Sequence, residues 1–160
     1  MRRVDPLANP EALVGDLYAY VAYRVSNQSD AEEITSAVFE RAVRYRRSYN
    51  PTKGSPMAWL VGIARTQISD RAAREANTQP LGEGALDGTD FEADLLERLS
   101  LREAVRALDA RSRELVALRY GIGLPPREIA GLLGLEENAV NVALHRARRR
   151  LRAGIESGGR

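Results

Sequence analysis

Apolar residues recur every three or four positions along most of this chain, and this spacing constrains the fold more than any other feature. Leu60, Ala64 and Ile68 form one such row. Side chains at these intervals share one face of an α-helix, whereas alternate residues share a face in a strand. No segment shows the alternation of a strand, and aromatic residues make up only 6% of the chain. We therefore predict an all-α protein.

Proline, glycine and capping residues indicate where the first helices begin and end. Asn9-Pro10 predicts the start of one helix, and residues 29–32, Ser-Asp-Ala-Glu, form a capping box at the start of a second. Residues 50–54 contain proline and glycine and predict a loop. A third helix is predicted to begin at Ser55-Pro56 and to run to about Glu75.

A segment rich in glycine and acidic residues divides the chain. Residues 77–90 contain three glycines, one proline and three acidic side chains, a composition typical of a linker. We therefore predict one small helical domain over residues 1–76 and a second over residues 91–160, joined by a flexible acidic linker.

The second domain carries the pattern of a helix-turn-helix. A capping box at residues 89–92 and a cap at Asp109 predict the helices that precede the motif. A short helix is predicted over residues 126–133. Gly134 permits a left-handed turn after it, and a long basic helix follows over about residues 137–153.

The long basic helix has two different faces. Val140, Leu144, Ala147 and Leu151 are spaced as a buried stripe. The opposite face suits a DNA major groove, because asparagine can pair with adenine, valine can contact a thymine methyl and arginine can bind phosphate or guanine. A helix whose charges only face water is the alternative, and the preceding short helix and glycine turn argue against it. The predicted outward residues are Asn138, Asn141, Val142, His145, Arg146 and Arg149.

Charge is segregated along the chain although the formal net charge is only +2. Residues 41–75 carry eight basic and two acidic side chains, whereas residues 76–100 carry six acidic side chains and one basic. The end of the chain is basic again, which indicates a polyanion bound at two places.

Several classes of protein are excluded by composition. The chain has no cysteine and one histidine, so disulfides, thiolate metal sites and cysteine nucleophiles are excluded and the usual catalytic relays are missing. We predict a protein that is not an enzyme and needs no cofactor or metal. Because the sequence shows neither a signal peptide nor an apolar run of membrane length, we expect a cytoplasmic protein without membrane insertion.

Four motifs resemble the extracytoplasmic-function (ECF) group of bacterial RNA polymerase sigma factors, within the sigma-70 family. DAEEI at residues 30–34 and PMAWL at residues 56–60 resemble sigma region 2. EIA at residues 128–130 and LHRAR at residues 144–148 resemble sigma region 4. The resemblance extends from about residue 17 to residue 152 and assigns region 2 to the first domain and region 4 to the second.

The resemblance implies a role in transcription initiation, with RNA polymerase core, promoter DNA and an anti-sigma factor as partners. It places three groups of residues at binding surfaces. The polymerase-binding group is Asp30, Glu32, Glu33, Phe39 and Arg41. The group at the promoter −10 element is Asn50, Lys53, Trp59, Arg65, Arg71 and Arg74. At the −35 element, Arg127 joins the six outward residues of the last helix.

The chain departs from the family pattern in its last helix. Most family members have lysine or arginine where this chain has Asn141 and Ala143, and a small hydroxyl residue where it has Val142. Fewer cations weaken phosphate contacts. An alternative function is therefore a sigma-like decoy or adaptor that binds an anti-sigma factor or polymerase without initiating transcription. A stand-alone helix-turn-helix regulator would leave residues 1–90 without a role.

Overall fold

Three helices pack through their apolar faces in the first half of the chain. The computed structural model describes residues 3–25, 27–75, 101 and 103–158, and none of these residues lies in a strand. Helix α1 is Pro10–Arg24, α2 is Gln28–Tyr45 and α3 is Pro56–Glu75. A 3-10 turn, Arg46–Ser48, ends the α2 segment. The predicted start of α3 is confirmed, and the helix extends over the described residues as far as Glu75.

Each of these helices buries a row of apolar side chains at helical spacing, and in α3 it is the row that the sequence predicted. In α1 the spacing also predicts Val14 in the apolar stripe, but Val14 is 43% exposed. Full burial of one aliphatic side chain contributes about 1.5–3 kcal/mol, so the three rows together hold the bundle. The spacing of Ile34, Val38 and Ala42 predicts that Tyr45 continues the α2 row, but Tyr45 is 47% exposed, because the helix ends there and the chain turns away. The buried rows are Leu17 and Val21 in α1, Ile34, Val38 and Ala42 in α2, and Leu60, Ala64 and Ile68 in α3.

The start of α2 differs from the predicted capping box. Ser29 lies inside the helix, and Asn27 is the N-cap, since its Oδ1 accepts a hydrogen bond from the Asp30 backbone N–H at 2.7 Å. Glu32 accepts a hydrogen bond from Gln28 Nε2 at 3.1 Å and has no capping role. Asparagine caps at least as well as serine, so the upstream residue begins the helix.

The first helix also lacks the predicted cap. Helix α1 begins at Pro10 as expected, but the Asn9 side chain makes no capping hydrogen bond. Proline at the first helical position has no backbone N–H, which reduces the number of donors that a cap must satisfy.

The second half of the chain is also helical. The chain forms two compact units, Met1–Leu86 and Asp87–Arg160. In the second unit α4 is Ala110–Val116, capped by Asp109 and continued by a π-helical turn over Ala117–Gly121. Helix α5 is Pro126–Leu133 and α6 is Glu137–Gly158. Residues 103–106 are helical as well.

The last helix is five residues longer than the sequence indicated. The predicted end lay just before Gly154, as if the glycine stopped the helix. Instead Gly154 lies within α6, where an added Cβ would come 3.1 Å from the Cβ of Ala104. The glycine therefore allows α6 to pack closely against Ala104. Leu108, Val116 and Ala147 form a buried cluster nearby.

Two predictions fall outside the described residues: the linker at 77–90 and the capping box at 89–92. Within the part of the chain that the structure describes, no helix combines the length and the apolar character needed to cross a membrane.

Replacing the α2 cap is expected to destabilise the first unit. Asn27→Ala removes the acceptor for the Asp30 N–H and should lower the free energy of unfolding by about 1 kcal/mol. Urea titration followed by fluorescence measures this effect, because Trp59, the sole tryptophan, lies in the first unit. Ser29→Ala is the matched control, with an expected change below about 0.5 kcal/mol. A larger loss from Ser29→Ala would contradict the assignment of the cap.

Candidate nucleic-acid and protein interfaces

Helices α5 and α6 form a helix-turn-helix. Gly134 ends α5 with φ 66° and ψ 34°, a left-handed conformation that glycine adopts without strain. The next residue closes the turn, as Leu135 N–H donates to the Ala130 carbonyl at 3.0 Å. Ile129 is fully buried, and Ala130 is 6% exposed. The local sequence therefore fixes where α6 begins and which of its faces is buried.

The outer face of α6 is where the sequence placed it. Val140, Leu144 and Ala147 are buried, and Leu151 is half-buried. A helix surface with amide, imidazole, guanidinium and isopropyl groups can contact both base edges and phosphates. The exposed residues are Asn138, Asn141, Val142, His145, Arg146 and Arg149 on α6, together with Arg127 on α5.

Two other arginines of α6 contact the second unit itself. The Arg148 guanidinium lies 5.9 Å from the centroid of the Tyr120 ring, and Arg150 Nη1 lies 3.5 Å from Asp109 Oδ1. Hydrogen bonds from the side chain and backbone of Ser112, with the charge of Arg150, hold the pKa of Asp109 below its usual value. The contact with Asp109 links α6 to the start of α4, and the contact with Tyr120 links it to the π-helical turn after α4. Arg148 and Arg150 therefore have roles apart from the outer face.

The loop between α2 and α3 is held together by its own hydrogen bonds. Asn50 Oδ1 accepts from Thr52 N at 3.0 Å and from Thr52 Oγ1 at 2.7 Å. Lys53 N donates to the Asn50 carbonyl at 3.1 Å, and the Lys53 side chain is exposed. The Asn50 oxygen is thus engaged within the turn, which fixes the direction of its amide.

An aromatic pair supports this loop. Tyr49 Oη donates to the Gly54 carbonyl at 2.8 Å, across the loop. The Tyr49 ring lies 5.6 Å from the Trp59 ring, with an angle of 59° between their planes, and both residues are half-buried. Trp59 therefore joins Asn50 and Lys53 in one preorganised segment. No role was predicted for Tyr49, although an aromatic residue on each side of a proline-glycine loop was a signal for it.

The start of α2 and the end of α3 meet at an ionic cluster around Arg71. Arg71 Nη2 donates to Asp30 Oδ1 at 2.5 Å and Nε donates to Glu75 Oε1 at 3.1 Å. Glu33 Oε2 lies 3.4 Å from the same guanidinium. Partial burial lowers the pKa of Arg71, but the hydrogen bond to Glu75 and the charges of Asp30 and Glu33 outweigh it and raise the pKa above its ordinary value.

This cluster joins residues that the sequence placed at two different surfaces. Asp30 and Glu33 were predicted to bind polymerase, and Arg71 was predicted to bind the −10 element. Among the other predicted −10 residues, Arg74 is exposed and Arg65 is half-buried.

The remaining predicted polymerase residues lie along α2. Phe39, which the resemblance places in the polymerase-binding group, is half-buried, so part of its ring widens the packed face of the helix. Arg41 is exposed, and its guanidinium lies 5.2 Å from the centroid of the Tyr45 ring. Glu32 is exposed one turn after Gln28.

Comparisons with known proteins identify both units. Residues 11–78 match the family model for Sigma-70 region 2, and residues 98–151 match that for Sigma-70, region 4. The ECF RNA polymerase sigma factor BldN of Streptomyces coelicolor is 35% identical over 144 residues, which are 84% of this chain and 54% of BldN. SigD of Mycobacterium tuberculosis is 35% identical over 140 residues, which are 81% of this chain and 63% of SigD. The chain thus spans less than two thirds of the length of either relative.

Solved structures share the same all-α fold. The sigma factor RpoE, in a complex with the anti-sigma factor NepR from Bartonella quintana, matches with a TM-score of 0.73 and 20% identity, over 90% of this chain and 92% of RpoE. CnrH, in a complex with the cytosolic domain of CnrY, matches with a TM-score of 0.65 and 21% identity, over 96% of this chain and 97% of CnrH. The predicted fold class is confirmed.

Loss of the Tyr49 hydroxyl is expected to loosen the loop without unfolding the first unit. Tyr49→Phe keeps the ring beside Trp59 but removes a hydrogen bond worth about 0.5–1.5 kcal/mol, so the Lys53 amide should exchange roughly two- to tenfold faster. Hydrogen exchange followed by NMR measures this rate. Tyr45→Phe, which removes a hydroxyl from an exposed ring, is the control. Equal exchange rates in both variants would show that the Tyr49–Gly54 bond does not hold the loop.

Proposed function

Because this chain belongs to the sigma-70 family of RNA polymerase sigma factors, within its ECF group, we propose that it directs promoter recognition and transcription initiation. One observation carries the proposal: sequence matches to region 2 and region 4 fall on two separate helical units of one chain. The first unit offers charged and aromatic side chains for polymerase and melted DNA, and the second offers a helix-turn-helix for duplex DNA.

The polymerase-binding surface in this proposal is the outer side of α2. Glu32, Glu33 and Arg41 are exposed along it, and Phe39 is half-buried. An aromatic side chain with charged neighbours is typical of the centre and rim of a protein interface. Asp30, at the start of the helix, completes the predicted group.

The −10 surface in this proposal is the loop before α3 together with α3 itself. Single-stranded DNA binds where aromatic rings and cations lie close together, since bases stack on the rings and phosphates pair with the cations. The preorganised segment offers Trp59 as the ring, Lys53 as the cation and the Asn50 amide as a base-edge contact. Arg65 and Arg74 would guide the strand along α3.

The −35 surface in this proposal is the exposed face of α6. Arg146 and Arg149 would bind phosphate or guanine, and Asn138 and Asn141 would contact adenine. Val142, which is 42% exposed, would contact a thymine methyl. His145 on the same face, with Arg127 at the start of α5, would position the helix on the DNA backbone.

The protein would act as a non-catalytic subunit and would work in the cytoplasm, where polymerase and promoter DNA meet. We further propose an anti-sigma factor as a regulator. The support is that RpoE, which shares this fold, was solved in a complex with the anti-sigma factor NepR. Such a partner would cover the polymerase-binding surface of the free chain.

A second candidate function is a sigma-like decoy or adaptor. The outer face of α6 bears Asn141 and Val142, both exposed, where most family members carry a cation and a hydroxyl residue. In this case the chain would bind polymerase or an anti-sigma factor without opening DNA.

In vitro transcription distinguishes the two functions. The purified chain, core polymerase and a pool of genomic promoter fragments are incubated, and the run-off products are sequenced. A sigma factor yields defined start sites that share two spaced upstream motifs. Binding to core without any start site above the level of core alone would establish the decoy instead.

The proposed −35 contact predicts a specific effect of Arg149. Arg149→Ala removes an exposed cation from the outer face of α6 and should weaken holoenzyme binding to promoter DNA about tenfold, with the slope of log K against log salt reduced by about 1. Binding titrations at several salt concentrations measure both quantities. Arg111→Ala removes the same charge from an exposed position on α4. Equal losses in the two variants would indicate a general charge effect and no contact at Arg149.

A further inference from the structure

Three carboxylates surround Arg71 in the ionic cluster at the start of α2. The guanidinium contacts Asp30 and Glu33 on α2 and Glu75 on its own helix, through Nη and Nε atoms. Its side chain is 28% exposed. The Asp30–Arg71 pair joins residues 41 positions apart and so ties the first turn of α2 to the last turns of α3.

This surrounding does not suit a contact with DNA phosphate. Three carboxylates around one guanidinium leave the cluster with a net negative charge, which repels a polyanion. The guanidinium donors already point at carboxylate oxygens, so a phosphate would have to displace them. By comparison, Arg74 lies exposed one turn further along α3.

The carboxylates of the cluster differ in how accessible they are. Both Asp30 oxygens are engaged, since Oδ1 accepts from Arg71 and Oδ2 accepts from Asn27 Nδ2 at 2.7 Å. The Asp30 side chain is only 21% exposed, whereas that of Glu33 is 69% exposed. Glu33 is held at a longer distance, 3.4 Å, and faces solvent. Of the two, Glu33 is the carboxylate available to a cationic partner.

Arg71 also offsets a repulsion within α2. Asp30 and Glu33 are three residues apart, so their like charges lie on the same side of the helix and repel each other. A guanidinium between them removes that repulsion and restricts the directions that Glu33 can take. Its fork geometry lets it bond more than one carboxylate at once, which a lysine ammonium does with less direction.

From this geometry we propose that Arg71 is a positioning residue of the polymerase interface, which acts with Asp30 to hold Glu33 toward a basic surface on core polymerase, and that it does not contact promoter DNA. The inference rests on the proposed sigma function, because it assigns a role within the polymerase-binding surface of α2. It moves Arg71 from the predicted −10 group to the polymerase-binding side of the first unit.

The test compares two arginines of α3 in the full chain. Arg71→Gln is expected to weaken core polymerase binding about three- to tenfold, as loss of a partly exposed ion-pair network does, while open-complex formation at saturating core stays unchanged. Arg74→Gln removes the same charge and is expected to lower promoter binding at saturating core while the affinity for core stays unchanged. Urea titration by Trp59 fluorescence establishes that both variants are folded, and Arg71→Lys should recover part of the core affinity.

A double-mutant cycle provides the readout that a merely structural role would not move. If Arg71 acts through Glu33, adding Glu33→Gln to the Arg71→Gln variant costs little further core affinity, so the two single effects do not add. Additive effects, or a loss confined to promoter binding with a lower salt slope, would overturn the inference while the sigma function stands. Failure of the unmodified chain to bind core polymerase would overturn both.

Discussion

The packing of α2 between α1 and α3 is the constraint on which the first unit depends. Ile34, Val38 and Ala42 are all buried along one side of α2. Because that side of α2 is buried, the helical repeat determines which residues of α2 face outward. The buried side of α2 therefore sets the positions of the exposed carboxylates and of Arg41. A shift in the register of α2 would carry the residues proposed to bind polymerase inward.

The same dependence explains how much of the fold the sequence predicted. Local patterns predicted three features correctly: Ser55-Pro56 predicted the start of α3, apolar spacing predicted the buried stripe of α6, and Gly134 between two helices predicted the helix-turn-helix. The errors arose where a local signal was not enough. Asn27 and Ser29 could each cap α2, and Asn27, the upstream residue, is the cap. Helix α6 continues through Gly154, which packs closely against Ala104, 50 residues away in sequence.

The candidate binding sites also contain parts that the sequence predicts and parts that it does not. The outward face of α6 was predictable because it is the complement of a buried stripe. The partners of Arg71 were not, since Asp30 and Glu33 are about forty residues distant in sequence and only the packing of α2 on α3 brings them together. The hydrogen bond from Tyr49 to Gly54 was predictable only in part. Aromatic residues on each side of the loop were visible in the sequence, but the backbone geometry that allows the bond was not.

The contact between Ala104 and Gly154 has a consequence for how the second unit is assembled. These two residues are 50 positions apart in sequence, so the contact closes a loop that contains α4, α5 and most of α6. The turns of the helix-turn-helix join residues that are neighbours in sequence, so they form at little entropic cost. The contact between Ala104 and Gly154 is non-local, so we expect it to form later in folding. We expect residues 103–106 and the last turns of α6 to lose their structure together. A pulling force applied at these two segments would load the contact between Ala104 and Gly154 before it reached the earlier turns of α6, which carry the exposed asparagine, histidine and arginine side chains.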